Sequence, residues 1–218
     1  MEAILRFHYR ECVALRCDAA RNRDRIVAAA RDVFSEAGLG APLERIAEVA
    51  GVGIGTLYRR FPTRDDLVAA AFETKLCAYA DAVEAALATD DPWQGFADYV
   101  ATACELQAAD AGMADVLSLT GATHPALRRQ LDRGYRGFVK LVDRAQAAGV
   151  LRADFVPEDL ILVLMGNAGV ILGTRDAAPE AWRRFAAYMI EAFRAPGRAA
   201  LTDPPSRNAM LRAMRRRG

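Results

Sequence analysis

A run of hydrogen-bond donors lies between positions 56 and 64 of the sequence. Its donor side chains are those of Thr56, Tyr58, Arg59, Arg60 and Arg64. No acidic residue occurs at positions 49–63, so no carboxylate within that stretch neutralises the arginines there. Arginine donates in pairs to guanine edges or to phosphate oxygens, and threonine and tyrosine hydroxyls also reach phosphate oxygens. The chemistry that these residue types favour is the binding of a nucleic acid.

The elements that must position this run are two short helices joined by a tight turn, within the segment PLERIAEVAGVGIGTLYRRF. Four of its apolar residues are spaced for joint burial, namely Ile46, Ala50, Val52 and Leu57. Ala47 is small enough for the helices to cross closely, and Gly51 can adopt the positive φ that the turn requires. The pattern predicts a helix-turn-helix. An ordinary corner between two helices, with no role in binding DNA, has the same spacing.

The second of these helices begins at Gly53, Ile54 and Gly55. Its first turn carries free backbone N–H groups and the positive end of the helix dipole. Because neither glycine has a Cβ atom, the backbone there can approach a phosphate closely. We therefore include these three residues in the predicted DNA-binding surface.

A group of arginines precedes the first predicted helix. Arg21, Arg23 and Arg25 could form a basic arm that follows phosphates or enters a minor groove. A solvated helix face would have the same composition. Residues 1–20, ahead of this arm, are predicted to be an N-terminal extension.

The overall charge argues against a nucleic-acid binder until it is divided along the chain. The 218 residues carry 29 Lys+Arg and 28 Asp+Glu, for a net charge of +1. Residues 1–64 hold 11 basic and 8 acidic side chains, residues 65–193 hold 11 and 19, and residues 194–218 hold 7 and 1. A basic end on an acidic body orients a protein on a polyanion. The basic C-terminal tail is either a second DNA contact or a solubilising end.

Residues for catalysis are scarce, and the sequence predicts no enzyme and no cofactor. It contains three serines and two histidines, without a nucleophile elbow, a zinc-protease motif or a phosphate-binding loop. The spacing of Cys12 and Cys17 matches no usual zinc site, so we expect no metal. The N-terminus lacks a signal-peptide pattern, and the apolar run 160–172 is shorter than the ~20 residues that cross a bilayer. We expect a cytoplasmic protein with no membrane partner.

Helical periodicity through almost the whole chain predicts an all-α fold of about nine helices. We expect a three-helix helix-turn-helix domain at residues 21–67 and a helical bundle for ligand binding and dimerisation at residues 68–195. Prolines, glycines and arginines in residues 196–218 predict a basic, loosely ordered tail.

The bundle supplies candidate walls for a small-molecule site. They are Trp93, Phe96, Tyr99, Val100, Cys104, Leu117, Phe138, Val142 and Met165. Plain core packing explains any one of these residues equally well. Asn167 is more informative because it lies in the apolar stretch LILVLMGNAGVIL, where an unpaired buried amide costs roughly 1–3 kcal/mol. Asn167 either orients a small molecule or pairs with a backbone carbonyl.

The stretch from Arg21 to Leu67, which contains FSEAGL and IAEVAGVGIGTLYRRFPTRDDL, closely resembles the N-terminal domain of the TetR/AcrR family of bacterial transcriptional regulators. The resemblance implies a homodimeric repressor that binds a palindromic DNA operator and is released by a small-molecule effector. It places Thr56 and Tyr58 on the operator and Arg64 where the family often has a phosphate-binding lysine. A helical ligand-binding or interaction module without specific DNA binding is the alternative.

The resemblance also implies that the last two long helices form a four-helix bundle across the two-fold axis of the dimer. Gly166, Gly169 and Gly173 form a bare stripe on the first of these helices, which would let another helix approach closely. The other candidate interface residues are Leu160, Leu164, Ile171, Trp182, Phe185, Met189 and Phe193. A two-fold dimer would set its two DNA-reading helices roughly 34 Å apart.

Overall fold

The chain folds into helices joined by short turns, as the periodicity predicted. The computed structural model describes residues 21–109, 124–197, 199, 201–206 and 208–210. The helices ahead of the C-terminal segment are α1 (21–37), α2 (Leu43–Val49), α3 (Ile54–Arg60), α4 (Arg64–Ala88), α5 (Pro92–Ala108), α6 (Pro125–Ala147), α7 (Pro157–Thr174) and α8 (Ala181–Phe193). Over this part of the chain there is no strand, only an isolated antiparallel bridge between Leu151 and Arg194. The all-α class is confirmed.

Three predicted features lie outside the described residues. They are the N-terminal extension 1–20, the short apolar segment around Leu117, and most of the arginine-rich end of the tail.

Local signals in the sequence determine where several helices begin. Asp66 accepts a hydrogen bond from the Thr63 backbone N–H at 3.0 Å, and its own N–H donates to Thr63 Oγ1 at 3.1 Å. This reciprocal pair satisfies two N–H groups at the start of α4. The Asp91 carboxylate accepts from the N–H groups of Trp93 and Gln94 at the start of α5. These caps explain why α4 and α5 begin at those positions.

The chain separates into two compact units, with the boundary between Ala71 and Phe72 inside α4. The first unit is built on α1 to α3 and the first residues of α4. Its fully buried side chains include Ile26, Phe34, Ile46, Leu57 and Leu67. The joint burial of Ile46, Ala50 and Leu57 agrees with the predicted helix-turn-helix.

In the second unit, α5 packs against α6, α7 and α8. Phe96 on α5 is at the centre of an aromatic cluster, with ring centroids 5.3 Å from Phe155, 6.3 Å from Phe138 and 6.4 Å from Phe193. Gly95 lets α5 pass close to the end of α4, because a Cβ there would lie 2.5 Å from the Ala86 carbonyl oxygen. The aromatic part of this core is therefore centred on α5.

The C-terminal segment is bound to the second unit where it is described, which differs from the loosely ordered tail we predicted. Arg152 donates to Asp154 and to the carbonyl of Ala199 at 2.8 Å, and Asp154 accepts from the Leu201 N–H at 3.1 Å. The same contacts hold the pKa of the Asp154 carboxyl well below its usual range. Met210 is buried as well. These are long-range contacts, and the composition of the tail gives no signal of them.

Candidate nucleic-acid interface

The turn between α2 and α3 has the geometry that Gly51 was predicted to supply. Gly51 has φ +62°, and its N–H donates to the Glu48 carbonyl at 2.9 Å. The N–H of Val52 donates to the Ala47 carbonyl, also at 2.9 Å. A Cβ at position 51 would lie 2.6 Å from Nη2 of Arg25. The positive φ therefore requires glycine here, and an added Cβ would also displace the end of the Arg25 side chain.

Arg25 fastens this turn to α1. Its Nη2 donates to the carbonyl oxygen of Ala50 at 2.5 Å and to that of Gly51 at 3.3 Å. From sequence we expected Arg25 in a DNA-contacting arm, and its structural role at the turn was not predicted. The pairing joins residues 25 positions apart, so no local pattern signals it.

The prediction that these arginines form an arm ahead of the first helix is wrong. Arg21 and Arg23 belong to helix α1, because the RNRDR segment continues the helical pattern and arginine is a good helix former. The guanidinium of Arg23 lies over the Phe61 ring, 5.7 Å from its centroid. Arg21 and Arg23 are both exposed, and their contact with DNA stays a prediction.

Helix α3 presents its polar side chains to solvent and its apolar side chain to the core. Leu57 is fully buried, Tyr58 is 46 % exposed, and Arg59 and Arg60 are exposed. Arg59 Nη2 donates to Thr56 Oγ1 at 3.1 Å, so these two side chains are held together on the surface. Arginine and tyrosine thus lie side by side on the outer face of a helix whose inner face is anchored.

The first residues of α3 and its N-cap are exposed to solvent. Gly53 caps the helix through its backbone, and its carbonyl accepts from the Thr56 N–H at 2.8 Å. A Cβ added at Gly53 or Gly55 would meet no atom within 4 Å among the described residues. Packing within this unit therefore does not explain the two glycines, in contrast to Gly51. Ile54 between them is 37 % exposed.

Arg64 has a structural role that the sequence analysis did not predict. Its Nη1 donates to the carbonyl oxygens of Leu39 at 2.7 Å and Ala41 at 2.6 Å, which lie in the connection between α1 and α2. Both hydrogens of that nitrogen are used inside the protein. A phosphate contact through the other guanidinium nitrogens stays a prediction.

The candidate ligand residues of the second unit lie in or beside its core. Trp93, Phe96, Tyr99, Val100, Cys104, Phe138 and Val142 are buried, Met165 is half-buried, and Leu117 lies outside the described residues. Asn167 is fully buried. Its Nδ2 donates to the Cys104 carbonyl at 3.2 Å and to Gln107 Oε1 at 2.9 Å, and its Oδ1 has no partner among the described residues.

Two other polar groups of the second unit are neutral. Burial raises the pKa of Tyr79 to about 12, although a hydrogen bond with Tyr99 partly opposes that effect. Burial also raises the pKa of the Cys104 thiol to about 11. Desolvation disfavours the charged form in each case, so phenol and thiol keep their protons near neutral pH.

The predicted dimer residues divide into three groups. Leu160, Leu164, Trp182 and Phe193 are buried within one subunit, because they belong to the hydrophobic core of the second unit. Gly166 packs against its own subunit, since a Cβ there would lie 2.7 Å from Phe185 Cζ, and Ile171, Phe185 and Met189 are half-buried against the core. Gly169 and Gly173 are exposed, with nothing within 4 Å of an added Cβ among the described residues.

Three large side chains that were not predicted as interface residues are exposed on α7 and α8. Leu162 is 45 % exposed and Leu172 is 70 % exposed on α7, and Tyr188 on α8 is 57 % exposed. Of the described helices, α7 alone has the length and composition that would allow it to cross a membrane, and 22 % of it is buried. We refer to Leu162, Gly169, Leu172, Gly173 and Tyr188 as the α7/α8 face.

Comparison with known proteins relates the helix-turn-helix of the first unit to a known family. Residues 26–71 match the family of bacterial regulatory proteins described as tetR. A TetR transcriptional regulator from Streptomyces coelicolor is 34 % identical, over 80 % of this chain and 99 % of that one, with a TM-score of 0.50. The chain belongs to the tetR family. Family and fold are those of transcriptional regulators, as the resemblance implied.

Two further relatives show how the similarity is distributed. An HTH-type transcriptional regulator from Staphylococcus aureus strain USA300 is 44 % identical over 54 residues, which are 24 % of this chain and 29 % of that protein. The match therefore spans less than a third of the curated relative. The TetR family regulator PfmR from Thermus thermophilus is 19 % identical with a TM-score of 0.61, over 81 % of this chain and 100 % of that one. The fold is thus shared more widely than the sequence.

Proposed function

We propose that this tetR-family protein is a homodimeric repressor that binds a palindromic DNA operator and is released by a small-molecule effector. The observation that carries the proposal is the outer face of α3. Tyr58, Arg59 and Arg60 are exposed on a helix whose turn is fixed by Gly51 and Arg25. A rigid helix that presents arginine and tyrosine side chains fits the major groove of DNA.

Individual residues have distinct roles in this proposal. The hydrogen bond from Arg59 to Thr56 orients both side chains before DNA arrives, which reduces the ordering cost of binding. Arg60 is exposed and supplies a paired donor for a guanine edge. Gly53 and Gly55 leave room for a phosphate to approach the backbone. Arg21 and Arg23 supply phosphate contacts from α1, which fix orientation without reading sequence.

The charge distribution supports the same orientation on DNA. Residues 1–64 carry a net +3, whereas residues 65–193 carry a net −8. A polyanion therefore attracts the helix-turn-helix end and repels the body. Contacts of this kind release counterions, so the affinity should fall steeply as salt rises.

We propose the α7/α8 face as the dimer interface. Its apolar side chains are exposed in the single subunit, and Gly169 and Gly173 leave space for a second helix to approach. A second copy of the chain, related by a two-fold axis, would cover this apolar patch. The apolar character of α7 is then explained by a protein partner, and we propose a cytoplasmic protein without a membrane contact.

Selection of DNA sites tests the proposal. The purified protein would be incubated with fragments of its own genome, including its own promoter, and retained fragments would be mapped by nuclease protection. We expect one or a few protected sites with two-fold symmetry and half-sites about one helical turn apart. A folded dimer that retains no fragment above background would contradict the proposal and favour a helical ligand-binding module.

A further inference from the structure

The interior of the second unit contains a polar atom that the described residues do not satisfy. Asn167 on α7 is fully buried, and its Oδ1 has no hydrogen-bond partner among those residues. Buried amide oxygens are nearly always paired in folded proteins. The unpaired Oδ1 of Asn167 marks a position in this interior where a bound molecule would supply the missing hydrogen bond.

The chemistry around Asn167 determines which of its two polar atoms is left over. Nδ2 lies 3.2 Å from the carbonyl oxygen of Cys104, which can only accept a hydrogen bond. The amide nitrogen must therefore face Cys104, and rotation of the amide by 180° would bring two oxygens together. Gln107 Oε1 accepts the second N–H at 2.9 Å. The atom left without a partner is an acceptor, so its complement must donate.

No charge is available among the described residues there to hold an ion. The buried polar or charged side chains of this part of the chain are Gln107, Arg152 and Asn167. Arg152 is bound by Asp154 and by the carbonyl of Ala199, and so it is already paired. Burial keeps Cys104 and Tyr79 protonated. A buried ion without a partner charge would be strongly disfavoured in such a place.

The hydrophobic core of the second unit includes residues of both helices that meet at Asn167. Asn167 belongs to a helix whose buried neighbours in sequence are Val163 and Leu164, and α5 contributes Val100 and Ala103 to the same cluster. An apolar body is therefore needed along with the donor. We propose that Asn167 Oδ1 accepts a hydrogen bond from a bound effector, and that the effector is an uncharged, largely apolar molecule carrying an O–H or N–H group. This inference rests on the proposed function, because the bound molecule is an effector only if the protein is a regulator that it releases from DNA.

Small molecules that are matched in size, but differ in charge or in the ability to donate a hydrogen bond, test this proposal directly. The full-length protein would be titrated by calorimetry with n-hexanol, n-octanol and n-decanol, with the isomeric methyl ethers, and with the corresponding carboxylates. An alcohol and its isomeric ether have the same atoms, but the ether cannot donate. We expect at least one alcohol to bind about tenfold more tightly than its ether, the worth of one good hydrogen bond, and the carboxylates to bind more weakly still. Equal binding of alcohols and ethers, tighter binding of the carboxylates, or no binding of any alcohol would overturn the inference.

Substitution of Asn167 tests whether its Oδ1 atom is the acceptor for the bound molecule. Asn167→Leu has a similar volume and no acceptor, and we expect it to abolish the preference for alcohol over ether. Leu141→Ala on α6 is the control, because it destabilises the same core without removing a polar group, and it should keep the preference. If Asn167→Leu does not fold, Asn167→Ala, which also lacks a side-chain acceptor, is used in its place, and the measurement on the unaltered protein stands without either variant. A variant of Asn167 that keeps the full preference would contradict the assignment.

DNA binding by the same preparation separates this inference from the proposed function. Specific binding of a genomic fragment together with no alcohol preference would overturn the role of Asn167 and leave the regulator intact. Alcohol preference without DNA binding would do the reverse. A crystal soaked with the tightest alcohol should show its oxygen within about 3 Å of Asn167 Oδ1. A water molecule there, with the alcohol bound elsewhere, would overturn the inference.

Discussion

Arg25 Nη2 donates to the carbonyl oxygen of Ala50 at 2.5 Å, so the first helix of the N-terminal unit is bonded to the turn of the helix-turn-helix. The guanidinium also occupies the space into which a Cβ of residue 51 would project. One side chain thus holds the turn, and the positive φ of Gly51 makes glycine necessary there. The orientation of α3 on the first unit depends on this contact.

Arg25→Ala should loosen the turn and weaken DNA binding without removing any group on α3. We expect a loss of about 1–2 kcal/mol in the free energy of unfolding, as for one part-exposed hydrogen bond from a charged group. Chemical denaturation measures that loss, and titration of a selected DNA site measures affinity. Arg45→Ala is the matched control, because Arg45 is exposed and forms an ion pair with the exposed Glu36. An Arg25 variant that is as stable as the Arg45 variant would show that the turn does not need Arg25.

Gly55→Ala should separate DNA binding from folding. An added methyl meets no atom of the described residues, and alanine favours a helix over glycine by about 1 kcal/mol, so the melting temperature should hold or rise. Affinity for the selected site should fall if a phosphate approaches this backbone. Gly51→Ala is the contrasting variant and should destabilise the fold, because φ is +62° and Arg25 is in the way. Unchanged DNA affinity in Gly55→Ala would remove position 55 from the interface.

Leu172→Glu should dissociate the proposed dimer. Leu172 is 70 % exposed in the single subunit, and a carboxylate buried against a second copy without a partner charge would be costly. Light scattering coupled to size-exclusion chromatography measures the mass. Leu201→Glu is the control, since Leu201 is 52 % exposed and lies outside the α7/α8 face. Equal masses for the two variants would contradict this choice of interface.

Asp154→Asn should free the C-terminal segment in a pH-dependent manner. The folded pKa of Asp154 lies below its usual range, so its carboxylate contributes stability at neutral pH that is lost as the pH falls below about 4 and through the folded pKa. The variant should be less stable than the unaltered protein at pH 7, and the difference should shrink in acid. Limited proteolysis near Leu201 provides a second measurement. A difference that grows as the pH falls would contradict the assigned ion pair.

Local rules predicted the features that depend on neighbouring residues. Gly51 was predicted as a turn residue, and its turn is closed by groups within a few positions of it, as are the helix caps at Thr63 and Asp91. The same was true of the exposed face of α3, since burial of Leu57 leaves its neighbours outside.

Contacts between distant positions could not be predicted in this way. Arg64 bonds to Leu39 and Ala41, which lie more than twenty residues earlier, and no periodicity signals which arginine will do so. The dimer candidates Leu160 and Leu164 were apolar residues on the expected helix, but sequence alone does not say which side of an all-apolar helix faces its own core. The structure assigns them to the core and leaves Leu162 and Leu172 outside.

Arg60 on the outer face of α3 provides the most direct measurement of the central claim. A labelled fragment containing the selected site would be titrated by fluorescence anisotropy at several salt concentrations, with the unaltered protein and with Arg60→Ala. We expect log affinity to fall linearly with log salt and Arg60→Ala to lose about 1–3 kcal/mol of binding at an unchanged melting temperature. The account would be contradicted by a folded dimer that binds this site no better than random DNA, or by an Arg60 variant that binds it as tightly as the unaltered protein.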